Sequence, residues 1–205
     1  MRKKGEEPNH YFAAHPKSKM RLGVIRTSLR GKSFEFLTAS GVFSKKRVDL
    51  GTRLLIESMV LPEEGYVLDI GCGYGAVGIA AATFNHDLRV VMVDVNERAV
   101  RLARRNVEIN NVQNVIVKHG HLYEPVKGVV FNCVLSNPPV SAGMETVKAI
   151  ICQAPNHMAN RALFQIVVKS KVGGKRLLTF FEEAFGNVRV LARKSGYRVL
   201  ISEKH

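Results

Sequence analysis

From Tyr66 onward the chain alternates short apolar runs with longer helix-forming stretches, and this alternation sharply limits the folds open to it. YVLDI (66–70), LRVVMVDV (88–95), NVIVKH (114–119), GVVFNCVLS (128–136) and LFQIVVKS (163–170) have the length and branched aliphatic content of buried strands. Helix formers separate or follow them: AVGIAAATF, NERAVRLARRNVEIN, METVKAIICQAPNHMANR with a disturbance at Pro155 and Asn156, and GKRLLTFFEEAF. Strand–helix alternation implies parallel pairing through right-handed crossovers. VRVLAR and YRVLISE are joined only by Lys194-Ser195-Gly196, too short for a crossover, so they form an antiparallel pair. The expectation is an α/β fold: an open seven-stranded sheet, helices on both faces, ending in an antiparallel pair.

The front of the chain reads differently. IRTSLR and SFEFLTA flank Gly31-Lys32 and suggest a β-hairpin. GVFSKKRVDLG follows as a loop, and GTRLLIESMVL carries an apolar helical face at Leu54, Leu55 and Met59, ended by Pro62 and Gly65. The chain therefore divides into a flexible basic tail (1–15), an N-terminal extension (16–62) and a main domain (63–205). With 205 residues, 46% of them hydrophobic, there is enough for one sizeable core. Basic residues outnumber acidic ones 31 to 17 and leave a net charge of +14. Such a surplus attracts polyanions, nucleic acid foremost. An anionic membrane would also satisfy it, but no long amphipathic basic helix supports that. The three cysteines have no metal-ligand spacing and read as reduced residues. No run of about 18 apolar residues and no signal-peptide pattern appears. The expectation is a cytoplasmic protein without a metal.

Ligands of open α/β sheets bind outside the carboxyl ends of the strands. The first strand ends at Asp69 and runs into DIGCGYG, where Gly71, Gly73 and Gly75 alternate. A lone G-x-G-x-G is a weak signal; its place between strand and helix strengthens it. A nicotinamide site uses G-x-G-x-x-G with pyrophosphate at the helix N-terminus. Gly73, Gly75 and Gly78 can be forced onto that pattern, but Asp69 would then face a pyrophosphate unfavourably. The acid suits a cationic ligand. Asp94 closes the second strand and can accept both hydroxyls of a ribose, or can be merely a solvated strand end.

SNPPV (136–140) ends the most continuously apolar strand. Pro138 and Pro139 lock the backbone and supply carbonyls without N–H donors. With the Asn137 amide oxygen they make an acceptor-rich corner suited to a planar NH₂ group. Hydrogen bonds from that group to Asn137 Oδ1 and the Pro138 carbonyl would align its lone pair for attack, with no general base needed beforehand. The plain alternative is a rigid loop corner of no chemical meaning.

DIGCGYG with strand-end Asp94 resembles the cofactor half of class I S-adenosylmethionine-dependent methyltransferases, which implies a Rossmann-like sheet and that cofactor. On this resemblance Asp69 orients the methionine part, Gly71, Cys72, Gly73 and Gly75 lie against the cofactor, and Asp94 holds the ribose with Val95 and Asn96 beside it. His121 and Leu122 line the adenine end, with His121 where the family commonly has an aspartate. SNPPV matches the [DNS]-P-P-x signature of amino methyltransferases. Val140 stands where many carry an aromatic that stacks on the target, leaving Tyr11, Phe12, Phe43 and Tyr123 as candidate rings.

A fuller resemblance runs from about His10 onward. GVFS (41–44), the following basic stretch, Asp49, Gly51, LYEPV, SNPPV with Gly143, and GNVRVLARKSGYRVL are similar to small-domain ribosomal RNA guanine-N2 methyltransferases, single-domain archaeal type. This implies methyl transfer to guanine N2 of a structured RNA, with docking through the extension or a partner. Phe43 and Val140 are the implied substrate contacts, while Lys45, Arg47, Lys169 and Lys171, basic residues near the ligand end, would neutralise phosphates or are solvated surface charges. Adenine N6, cytosine N4, a tRNA guanine or a protein glutamine are alternative targets, and a non-catalytic RNA-binding protein on the same fold is another reading. Monomer and homodimer both remain open.

Overall fold

The computed structural model describes residues 21–42, 44, 46–138, 143–171 and 174–205. The main sheet contains β3 (Gly65–Ile70), β4 (Leu88–Asp94), β5 (Val115–His119), β6 (Phe131–Ser136), β7 (Met158–Lys169), β8 (Arg189–Lys194) and β9 (Tyr197–Glu203). Their spatial order is β5-β4-β3-β6-β7-β9-β8, with β9 antiparallel to both neighbours and the other pairings parallel. The α/β, Rossmann-like expectation therefore holds, including the antiparallel end.

β9 enters between β7 and β8 instead of extending the edge. Burial explains this: Val199, Leu200 and Ile201 are fully buried, whereas β8 carries Arg189, Arg193 and Lys194. A charged strand tolerates an edge and protects it from pairing with another chain.

Side-chain alternation along each strand feeds two core layers. Val67, Val90 and Met92 pack with α1 (Leu50–Ser58), α2 (Ala76–Phe84) and α3 (Glu97–Ile109). Leu68, Val91 and Val93 face the opposite layer, formed by α4 (Gly143–Gln153) and α5 (Gly174–Phe185). Pro155 and Asn156 fall in a short 3-10 turn that ends α4, as their chemistry demands. No helix among the described residues is long and apolar enough to cross a membrane.

The extension forms a hairpin of β1 (Leu22–Leu29) and β2 (Lys32–Ala39). Its turn is Arg30-Gly31, one residue earlier than expected, with φ of 44° and 77°. Positive φ at both turn residues matches the twist of paired strands. Arg30 tolerates it while its guanidinium lies 5.0 Å over the Phe84 ring. Ile25, Leu29, Phe34 and Phe36 join the same core layer as α1–α3, so the extension shares the main core. Gln165 of β7 reinforces this by exchanging two hydrogen bonds with the Val60 backbone.

Among the described residues the outward edge of β2 has no strand beside it, yet its backbone is paired. Asn106 Oδ1 accepts from Leu37 N–H at 2.7 Å and its Nδ2 donates to Leu37 O at 2.9 Å. Asn110 treats Glu35 in the same way, at 3.2 and 2.8 Å. Alternate strand residues repeat every ~6.8 Å and four residues of helix rise ~6 Å, so Asn106 of α3 and Asn110 at its C-cap can imitate a neighbouring strand. Asn106 also donates to Tyr74 O at 2.8 Å, linking hairpin to glycine loop. Replacing fully buried Asn106 with Ala orphans these groups. Urea unfolding should show a loss of about 2–4 kcal/mol.

Candidate active site

The carboxyl ends of β3, β4 and β6 meet at one rim of the sheet. After β3 the backbone turns through Gly71, Gly73 and Gly75, with φ of 73°, 59° and 95°, the left-handed region in which a side chain is strained. Gly71 and Cys72 N–H both donate to Val93 O, pinning the loop across the end of β4. Gly75 then caps α2.

Two buried carboxylates set the electrostatics of this loop. Asp69 Oδ2 accepts from Gly78 N–H at 2.8 Å. Burial is the largest influence on the Asp69 carboxyl and pushes its pKa up to about 7, opposed by the Gly78 bond and assisted by the Asp94 charge. Asp94 accepts from Gly73 N–H through Oδ2 and from Asn96 N–H through Oδ1, both at 2.8 Å. Burial also raises its pKa, against those backbone bonds. A nearby cation would relieve this destabilisation of the charged forms.

Two clefts meet here, sharing Gly71 and Asp94 as a wall. The first holds Asp69, Cys72, Gly73, Tyr74, Asn96 and Asn137; the second holds Ile70, Val93, Val95, His121, Leu122 and Ile150. Both clefts open to solvent, with about 580 and 760 Å³ of space including that open part. One end thus offers carboxylates and an amide, the other an apolar slot with a polar rim. An elongated ligand with a cation at one end, hydroxyls in the middle and a flat heterocycle at the other fits this arrangement.

Asn137 sits beside the first cleft because Ser136 Oγ donates to Ile70 O at 2.9 Å, drawing the end of β6 onto that of β3. Its Nδ2 donates to Thr52 Oγ1 at 2.7 Å and Asp49 Oδ2 at 3.3 Å. A carboxylate only accepts, so the amide nitrogen must face Asp49 and Oδ1 is directed away from α1. Asp49 simultaneously caps α1 by accepting from Gly51 and Thr52 N–H, and it accepts from the Tyr197 hydroxyl at 3.3 Å. A Cβ on Gly51 would come within 2.8 Å of the Tyr197 ring, which explains glycine there. A third cleft opens on the other side of Asn137, lined by Pro138, Met144, Val147, Val168, Lys169 and Tyr197.

The structure gathers Asp69, Gly71, Cys72, Gly73, Asp94, Val95, Asn96, His121, Leu122, Asn137, Pro138 and Lys169 around these clefts. Pro139, Val140, Phe43 and Lys45 lie outside the described residues, as do Tyr11 and Phe12. Arg47 and Lys171 are exposed and line none of the three clefts. Asn96 reaches the cleft wall, but its amide is engaged: Oδ1 caps α3 and Nδ2 donates to Gly41 O. Tyr123 is excluded as a stacking ring, being buried against His157 with its hydroxyl on Ile150 O. Thr52 and Tyr197 also line these clefts, although no sequence motif singles them out. A signal for Tyr197 was present, since a strand returning antiparallel from the KSG turn must begin at the ligand end.

Gly78 packs where α2 crosses β4: a Cβ there would lie 2.5 Å from Met92 Cγ and 3.1 Å from Asp69 Oδ2. Ala gains about 0.5–1 kcal/mol of helix propensity over Gly. Overpacking costs about 1–3 kcal/mol, so Gly78→Ala should lower the unfolding midpoint in a thermal melt.

Comparison with known proteins agrees with this geometry. Residues 33–201 match the model of the family described as methyltransferase small domain. A Bacillus subtilis protein, uncharacterized protein YbxB, is 40% identical over 95% of this chain and 98% of its own length. Ribosomal RNA small subunit methyltransferase C of Aeromonas hydrophila is 32% identical over 82% of this chain and 48% of its own. The structure of the T. thermophilus 16S rRNA N2 G1207 methyltransferase in complex with AdoMet and guanosine superposes with a TM-score of 0.81 at 25% identity, covering 90% of this chain and 51% of that one. The chain thus spans about half the length of these RNA methyltransferases and nearly all of the Bacillus protein. The extent of the family match, together with a glycine loop, two strand-end acids and the Asn137-Pro138 corner at one rim, makes the chain a member of the methyltransferase small domain family.

Proposed function

We propose that this protein transfers a methyl group from S-adenosylmethionine to an exocyclic amine of RNA, guanine N2 of ribosomal RNA in particular. The carrying observation is the Asn137 amide, whose nitrogen is held by Thr52 and Asp49 beside the carboxylate-lined cleft. The likeness to the Aeromonas ribosomal RNA small subunit methyltransferase C supports ribosomal RNA as the substrate, and the likeness to the Thermus N2 G1207 enzyme, which holds guanosine, supports guanine as the target. The net charge of +14 supports a polyanionic substrate.

The cleft residues suit the cofactor. The apolar second cleft takes a flat base between Val95, Leu122 and Ile150, with His121 at its rim. Asp94 accepts backbone N–H groups at both oxygens, and a carboxylate has about four acceptor sites, which leaves capacity for ribose hydroxyls. Asp69 is the anion for the cationic end. When bound, S-adenosylmethionine supplies an electrophilic methyl group carried on a sulfonium.

The remaining work is alignment. An NH₂ group conjugated to a ring is a poor nucleophile because its lone pair is delocalised. Asn137 Oδ1 and the Pro138 carbonyl accept its two N–H bonds, favouring a pyramidal nitrogen with the lone pair free. Thr52 and Asp49 keep the amide from turning its own NH₂ toward the substrate, which would present donor to donor. The amine proton leaves to solvent after transfer, so no buried base is needed before it. Lys169, Met144 and Tyr197 line the cleft on the substrate side. Tyr197 supplies an aromatic surface there.

Labelled cofactor incubated with unmodified small-subunit ribosomal RNA should yield labelled N2-methylguanosine on nucleoside analysis; label on adenosine, cytidine or protein alone would overturn the guanine reading. Asn137→Ala should lower kcat about 100-fold or more, with little change in cofactor affinity. Thr52→Val should act in the same direction, and Thr52→Ser should restore turnover.

Asp69 adds a pH dependence. Its carboxyl, ordinarily near 3.8, is raised to about 7 in the folded protein. A raised pKa contributes stability that is complete below the ordinary value and is lost as pH rises through about 7. A bound cation offsets that loss, so calorimetry should show cofactor affinity rising between about pH 6 and 8 relative to Asp69→Asn.

A further inference from the structure

We infer that Arg193 and Arg198, on the closing β8–β9 pair, form a phosphate site that grips the RNA backbone beside the target cleft; this deepens the RNA-methyltransferase reading and rests on it. The two residues are direct partners in the antiparallel register. Directly opposite residues share a face, with Cβ atoms about 5 Å apart, and like charges so placed repel. A fold does not gain from this pairing by itself. Arg198 is also only partly exposed, and its Nε and Nη2 are buried without a hydrogen-bond acceptor. Neither arginine has an ion-pair partner among the described residues, although Arg26, Arg53, Arg101, Arg105, Arg161 and Arg176 each have a carboxylate within 4.0 Å. From Val188 to Arg198 the chain has four basic residues and no acidic one.

Position gives this unsatisfied charge a use. β8 runs parallel to β7, so its last residues and the first of β9 lie at the ligand rim. Arg198 pairs across the sheet with Val168, which lines the cleft containing Asn137, Pro138 and Lys169. The arginine pair therefore begins one strand, roughly 5 Å, beyond the wall of the target cleft. A phosphate lying against the exposed Arg193 guanidinium and the exposed part of Arg198 turns their repulsion into charge-assisted contacts, and its negative charge offsets the cost of the buried Arg198 donors. Such contacts set the position of the strand without reading bases. Lys169, Lys171, Lys175 and Arg176 continue the basic rim on the next loop and helix.

The test uses the intact protein and a transcribed, unmodified small-subunit ribosomal RNA fragment, with affinity measured by fluorescence anisotropy across a potassium chloride series. Arg198→Met and Arg193→Met keep the aliphatic stems and remove the charge. Each should weaken RNA binding about tenfold or more and lower the slope of log affinity against log salt by about 0.7–0.9. Cofactor affinity should be unchanged, and the melting temperature of Arg198→Met unchanged or raised, because unsatisfied buried donors are removed. Arg105→Met, on the outer face of α3 and paired with Glu108, should behave as the unaltered protein. Unchanged RNA affinity and slope in both variants would overturn the site while leaving the methylation reading intact. Lost RNA affinity accompanied by a lower melting temperature or lost cofactor affinity would also count against it. Failure of the unaltered protein to bind or methylate any ribosomal RNA fragment would remove both the site and the reading beneath it.

Discussion

The carboxylate of Asp49 is where three distant parts of the chain meet. It caps α1, accepts the Asn137 amide and accepts the Tyr197 hydroxyl, joining the extension, the end of β6 and the closing strand. Each bond is ordinary in strength, about 1 kcal/mol for a neutral donor and more to a charge. Their convergence matters more than their sum. An amide is nearly symmetric in shape but opposite in hydrogen-bonding sense at its two ends, and an acceptor-only partner decides which end faces the substrate. The extension is thereby joined to the Asn137 corner on which the proposed reaction rests.

The neighbouring acids work by a different route. Asp69 and Asp94 are drawn out of water at adjacent strand ends, and burial raises both carboxyls above their ordinary range. Backbone N–H groups of Gly73, Gly78 and Asn96 offset part of that cost. The same bonds tie the glycine loop to the strands, so loop shape and cleft charge are one construction. A cation placed beside the loop would relieve the residual destabilisation of both carboxylates.

Much of this is legible in the sequence. The period-two and helical patterns separate strands from helices because burial faces must repeat with the geometry of the element. The glycine loop, Asp94 and SNPPV follow from the rule that ligands collect at strand carboxyl ends. Other features were not legible. Asn106 and Asn110 look like unremarkable polar positions on an amphipathic helix, and nothing local says that they replace a missing strand for β2. Asn96 invites a cofactor role by its position, yet helix capping and Gly41 take its whole amide. Tyr123 looked free to stack, but packing buried it.

Periodicity, turn chemistry and strand-end residues, all local properties, determined by sequence alone the α/β class, the number of strands in the main sheet and the chemical character of the cofactor and target corners. Only the tertiary structure decided that β9 lies inside β8, that Thr52 and Asp49 set the sense of the Asn137 amide, and that Arg193 faces Arg198 across a strand pair. These are relations between segments separated by strand crossovers or tens of residues. The competition for buried edges and buried hydrogen bonds settles them, and that competition is resolved only when the whole core closes.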